Sequence, residues 1–90
     1  MESKGNIRIE EVADINFDYP YLEVFYKESD KPFLDIGITA ARELSFKFYA
    51  SYVDLNLTIN EIEIILFSAK EFLPKALKNR DDFLNWNQEK

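Results

Sequence analysis

The sequence predicts an α+β fold: an antiparallel sheet of four to five strands, one main amphipathic helix packed on one face, and a short C-terminal helical segment. Three observations lead to it. Leu55 to Leu77, LNLTINEIEIILFSAKEFLPKAL, is the one long stretch whose apolar residues recur at steps of three and four. The segments before it alternate apolar and polar residues with period two, as half-buried strands do. The links between those segments are short, so successive strands are most simply joined as antiparallel hairpins. With 90 residues the chain is read as a single domain, 1–90.

Asn6 to Val12 alternates weakly through Ile7 and Ile9, which suits a first strand at a sheet edge. Ala13 to Pro20 holds Asp14, Asn16, Asp18 and Pro20 and reads as a loop. Tyr21 to Lys27 is a stronger strand, with Leu22, Val24 and Tyr26 on one face and Tyr21, Glu23, Phe25 and Lys27 on the other. Glu28 to Pro32 is a polar turn closed by proline. Phe33 to Thr39 alternates again, setting Leu34, Ile36 and Ile38 against Phe33, Asp35, Gly37 and Thr39. Gly37 inside a strand signals a bulge or a close approach. Glu43 to Ala50 is the clearest strand, with Leu44, Phe46 and Phe48 opposed to Ser45, Lys47 and Tyr49. Val53 to Leu57 alternates once more and is either a fifth strand or the extended entry to the helix.

Thr58 with Glu61 makes a T-x-x-E capping box at the start of the helix. Ile59, Ile62, Leu66, Ala69 and Leu73 define an apolar stripe, widened by Ile65 and Phe72. Leu57 is placed to staple onto Ile62. Pro74 cannot donate to the preceding turn, so it is expected to end or kink the helix, or to open a second short helix, PKALKNRDDFLNW. Leu77, Phe83, Leu84 and Trp86 make that tail too apolar for a disordered end, and it is expected to fold back on the sheet or the main helix.

Composition removes many functions. The chain has no His and no Cys, so Ser-His-Asp and Cys-His triads, thiolate chemistry and disulfides are excluded within it. It has only two glycines, Gly5 and Gly37, and so no phosphate-cradling loop. No Ca²⁺-binding loop pattern occurs, and no metal or cofactor is called for. The carboxylate pairs Asp81-Asp82 and Glu61-x-Glu63 do not converge on one helix face. No apolar run reaches the roughly 20 residues of a membrane span, and the N-terminal residues have no apolar signal core. A cytoplasmic, non-catalytic protein with no membrane association is expected.

The net charge is −6 and uneven. Residues 1–30 hold eight acids against Lys4, Arg8 and Lys27, leaving −5; residues 31–90 hold nine acids and eight bases, leaving −1. Direct nucleic-acid binding needs a basic face and is disfavoured. A basic protein partner is favoured, since complementary fields steer encounter. If the helix covers Leu22, Val24, Leu34, Ile36, Leu44, Phe46 and Phe48, the opposite sheet face presents Tyr21, Glu23, Phe25, Phe33, Asp35, Lys47 and Tyr49 to a partner. A second candidate is the acidic group Glu10, Glu11, Asp14 and Asp18 around the first loop. Solubility alone also accounts for surface acidity.

The segments PFLDIGIT, ELSFKFY and DLNLTINEIEIILFSAKEFLPKALKN give a hairpin leading into a capped helix. With the small size and acidity, this layout resembles the immunity proteins of bacterial toxin–immunity systems, including contact-dependent growth inhibition. Those proteins have many folds and no shared motif, so no residue role carries over. The resemblance implies a cytoplasmic protein that binds and neutralises a cognate toxin domain, often a nuclease. The alternative is a homodimeric structural or regulatory protein that buries the same sheet face.

Overall fold

A computed structural model of the chain describes residues 6–49 and 54–88, with side chains described through residue 86. Four strands form one antiparallel meander: β1 (Ile7–Val12), β2 (Tyr21–Tyr26), β3 (Leu34–Ile38) and β4 (Leu44–Phe48), in the order β1-β2-β3-β4. A single helix, α1 (Ile59–Gln88), follows. The alternation of each strand is kept in the register. Val24 pairs with Ile9 and Leu34, and Ile36 with Leu22 and Phe46, so the aliphatic residues share the face under α1. Ile7, Val24, Leu34 and Ile36 are fully buried there against Ile65, Ala69, Phe72 and Ala76 of the helix. Burying each large aliphatic side chain contributes roughly 1.5–3 kcal/mol.

The helix runs in the direction of β1 and β3. At its start Glu61 accepts from the Asn6 N–H, beside the first residue of β1 (3.2 Å). At the other end Arg42, in the β3–β4 turn, makes a two-pronged pair with Asp81 (3.0 Å on each arm), and Arg80 reaches Asp18 in the β1–β2 loop (3.4 Å). Thirty helical residues span about 45 Å, whereas five- or six-residue strands span about 17–20 Å. The helix therefore overhangs the sheet, and the molecule measures 50 × 25 × 22 Å.

The capping box forms as its spacing predicts. The Glu61 carboxylate accepts from the Thr58 N–H at 2.9 Å, and the Thr58 hydroxyl accepts from the Glu61 N–H at 3.1 Å. These donors and the Asn6 N–H hold the Glu61 carboxyl below its ordinary value. Its contribution to stability is present above that ordinary value and fades as pH falls through the lowered one. Thr58→Ala is expected to cost about 1 kcal/mol, read as a lowered urea midpoint at unchanged slope.

Several expectations are corrected. Of the two readings of Val53 to Leu57, the fifth strand is not found among the described residues and the extended entry to the helix is: Asp54–Leu57 has no strand pairing, Leu57 packs at the margin of the core, and Val53 lies outside the described residues. The separate C-terminal helix is absent, because α1 continues through Pro74, which sits exposed inside it. The ring has open solvent on its outer side, and the lost N–H leaves only one carbonyl of the preceding turn without its helical donor. The predicted stripe holds at Ala69 and at its widening by Ile65 and Phe72, but not at Ile59, Ile62 and Leu66. The line facing the sheet is Glu61, Ile65, Ala69, Phe72 and Ala76, while Leu73 is half-buried and Ile59, Ile62 and Leu66 are exposed. Phe46 and Phe48 lie on the helix side of β4 yet stay exposed, because the helix covers β1 to β3 and stops short of that edge. Phe83 and Leu84 are exposed near the end of α1 rather than folded back, and Trp86 is 58% exposed. Gly37 marks no bulge, for the β3–β4 pairing is continuous across it.

Candidate functional site

The sheet face turned away from α1 is built around a row of charges in register across all four strands: Glu10 on β1, Glu23 on β2, Asp35 on β3 and Lys47 on β4. Direct cross-strand neighbours stand about 4.5–5.5 Å apart at Cβ, so three carboxylates are lined up before the row meets its cation. Partial burial, then Asp35 and Glu10 beside it, raise the Glu23 carboxyl above its ordinary value. Ionised Glu23 therefore works against folding, and the penalty is relieved as pH falls.

Tyr49 closes the row. Its hydroxyl donates to Asp35 Oδ2, and this hydrogen bond is the main reason its own pKa is pushed up to about 12. The stability from that bond is present below the ordinary tyrosine value of 10 and is lost as pH rises toward 12. Urea midpoints of the wild type should fall through that window more steeply than those of Tyr49→Phe. Equal slopes would contradict the hydrogen bond. The other Asp35 oxygen, Oδ1, is buried and has no hydrogen-bond partner among the described residues. Tyr21 is likewise raised, first by desolvation and then by Glu23, Asp35 and Asp14.

Beside the row lies a groove of about 690 Å³. Gly37 is its floor, with nothing within 4 Å of where a Cβ would stand. Tyr21, Asp35, Ser45, Lys47 and Tyr49 line the sheet side, and the β1–β2 loop supplies Asp14, Phe17, Asp18 and Tyr19. The loop is held by Asp14, whose carboxylate accepts from the Asn16 N–H at 2.9 Å. Phe17 sits edge-on to Tyr21 with ring centroids 5.8 Å apart.

The structure thus brings together Tyr21, Glu23, Asp35, Lys47, Tyr49, Glu10, Asp14 and Asp18 of the expected residues. Phe25 and Phe33, expected on this face, and Glu11, expected in the acidic group of the first loop, lie elsewhere. Phe25 is only 5% exposed, because Arg8, its cross-strand partner, lays its guanidinium 4.2 Å over the ring. Arg8 is itself fixed by Glu10 (2.7 Å) and the Lys27 carbonyl (3.1 Å). Phe33, just before the start of β3, turns into the core margin and stacks on Tyr26 with centroids 4.7 Å apart. Glu11 pairs with Leu22 and points to the helix side, where it rims a separate groove of about 960 Å³ between β1 and α1. Phe17 and Tyr19 were missed by sequence reading, since aromatics in a loop have no period to place them.

No family model matches the chain, and no curated protein or solved structure matches it either. The site must be read from its own chemistry. Among the described residues no three carboxylates are grouped so as to hold a metal ion. No helix among them is long and apolar enough to cross a membrane. The surface offers a line of anionic acceptors, one of them buried and unsatisfied, next to aromatic walls. That arrangement suits a guanidinium or ammonium with an attached apolar stem.

Proposed function

We propose that this chain is a non-catalytic protein-binding module whose Glu10–Glu23–Asp35 face receives a basic segment of a partner protein. The observation behind this reading is Asp35 Oδ1, buried without a donor among the described residues, beside a groove walled by Tyr21 and Tyr49. A buried acceptor left unpaired costs about 1–3 kcal/mol, and an incoming Arg or Lys would recover it. The strained charge row would gain the same counter-ion. Aromatic anchors beside the carboxylates supply contact area at low entropy cost. Within this reading the partner is a toxin domain, and the chain is a cytoplasmic immunity protein that blocks it. The acidity of residues 1–30 and the likeness of layout to immunity proteins support that narrower form.

The test is affinity capture of the partner by tagged wild type, Glu23→Lys and Tyr49→Lys, with folding of each checked by circular dichroism. One stoichiometric partner, kept by wild type, released by rising salt, lost by both variants and toxic when freed, is the expected result. Equal retention by all three proteins would place the interface elsewhere. Phe25→Lys is unsuitable as a control, because it would bury a charge where Phe25 now lies under Arg8.

A further inference from the structure

Among the described residues the β4 edge is open, and it combines two features that point the same way. Within the β3–β4 ladder the Tyr49 N–H donates to the Phe33 carbonyl and the Thr39 N–H to the Glu43 carbonyl. The odd-numbered residues of β4 therefore direct their backbone groups inward to β3. Leu44, Phe46 and Phe48 direct theirs outward, where no further strand among the described residues pairs with them. The same three residues turn their side chains to the helix side of the sheet. There the helix leaves Phe46 and Phe48 uncovered.

The flank of α1 above that edge is apolar too. Ile64, Phe67, Glu71 and Lys75 line the groove on the β1 side. Ile62 and Leu66 lie across the buried line from them, on the β4 side, with Ile59 one turn earlier. Phe46, Phe48, Ile59, Ile62 and Leu66 are 39–74% exposed. Together they leave on the order of 500 Å² of apolar surface, at the upper end of what a monomer shows. Doubled by a two-fold axis and fully covered, this is about 1,000 Å², the lower bound for a specific interface.

We propose that two copies of this chain associate by antiparallel β4–β4 pairing centred on Phe46, joining two four-stranded sheets into one of eight strands. In this register Phe46 meets its own copy and Leu44 meets Phe48, so the three outward-facing residues exchange their N–H and C=O groups and all apolar side chains fall on one face. On the other face Ser45 stands opposite Lys47, with no like-charge contact. The strand contains no acidic residue. In a chain of net charge −6 this is the edge where two copies meet with least repulsion. A second copy also satisfies what a basic partner would not: an apolar surface with a self-complementary row of backbone groups. The pairing leaves the Gly37 groove on the opposite face open, so it stands or falls independently of what that groove binds.

Sedimentation equilibrium of the wild type over a wide concentration series should give twice the 10.6 kDa chain mass at the upper end. Phe46→Pro removes an outward N–H that the chain's own ladder does not use, so it should fold and sediment as a monomer. Because the chain has no cysteine, a single introduced thiol reports the register directly. Phe46→Cys would stand about 5.5 Å from its copy at Cα, within disulfide reach, and should cross-link in oxidised glutathione. Phe48→Cys would stand about 14 Å from its copy, four residues out of step, and should not. A monomeric wild type at all concentrations, a dimeric Phe46→Pro, or equal cross-linking by the two cysteines would each overturn the proposal.

Discussion

Ile36→Ala is expected to lose about 2–5 kcal/mol of unfolding free energy. Ile36 has no exposed surface, lies in the middle of β3 and is flanked in register by Leu22 and Phe46. Removing its outer carbons leaves a void under Ile65 and Phe72 that a sheet bonded on both sides cannot close. A domain of this size has of order 5–15 kcal/mol in total, so the variant sits near the threshold of folding. The urea midpoint should fall by a large fraction at constant slope. Ile15→Ala is the matched comparison: the same side chain is removed from a fully exposed loop position, and the expected change is within about 0.5 kcal/mol. Similar losses in the two variants would mean that Ile36 is not in the core.

Glu23→Lys should separate binding from stability. Cross-strand neighbours Glu10 and Asp35 flank Glu23 with like charge, and burial and that charge raise its carboxyl. A lysine there turns two repulsions into two attractions, so the free protein should be as stable as wild type or more so near neutral pH. The gain should shrink as pH falls toward the carboxylate range, because protonation relieves the same repulsion in the wild type. Partner affinity should move the opposite way. Truncating or reversing a charge that faces a buried cation costs about 2–5 kcal/mol, which is at least tenfold in Kd. Titration calorimetry for affinity and urea unfolding for stability give the two readings. Unchanged affinity in a well-folded Glu23→Lys removes this row from the interface.

The strands were legible because their alternation is clean. Leu22-Glu23-Val24 and Leu34-Asp35-Ile36 declare both faces without help from the rest of the chain. The Thr58–Glu61 cap was legible because a local spacing sets it. The row Glu10–Glu23–Asp35–Lys47 was named only in parts. Its members come from four strands, and one sequence contains no statement of register. The same gap hid the burial of Phe25, which depends on Arg8 arriving opposite it. The helix misled for another reason. Apolar residues cover more of its circumference than one sheet face can bury, so periodicity could not distinguish the Ile65–Phe72 side from the Ile62–Leu66 side. Pro74 misled because a helix tolerates proline on an exposed outer side at a cost its neighbours can offset.

The order of elements along the chain has a consequence for synthesis. The whole meander precedes the helix that covers it. A ribosome releases the residues of β1 to β4 first, and their apolar face has no cover until Ile65 to Ala76 follow. At about 5–20 residues per second, the thirty residues of α1 take a few seconds to appear. During that interval Leu22, Val24, Leu34 and Ile36 are open to chaperones and to neighbouring nascent chains. Any delay before residues 59–76 clear the ribosome's exit tunnel should therefore lower the yield of soluble protein, and slow codons after residue 76, read while those residues are still inside it, count among such delays.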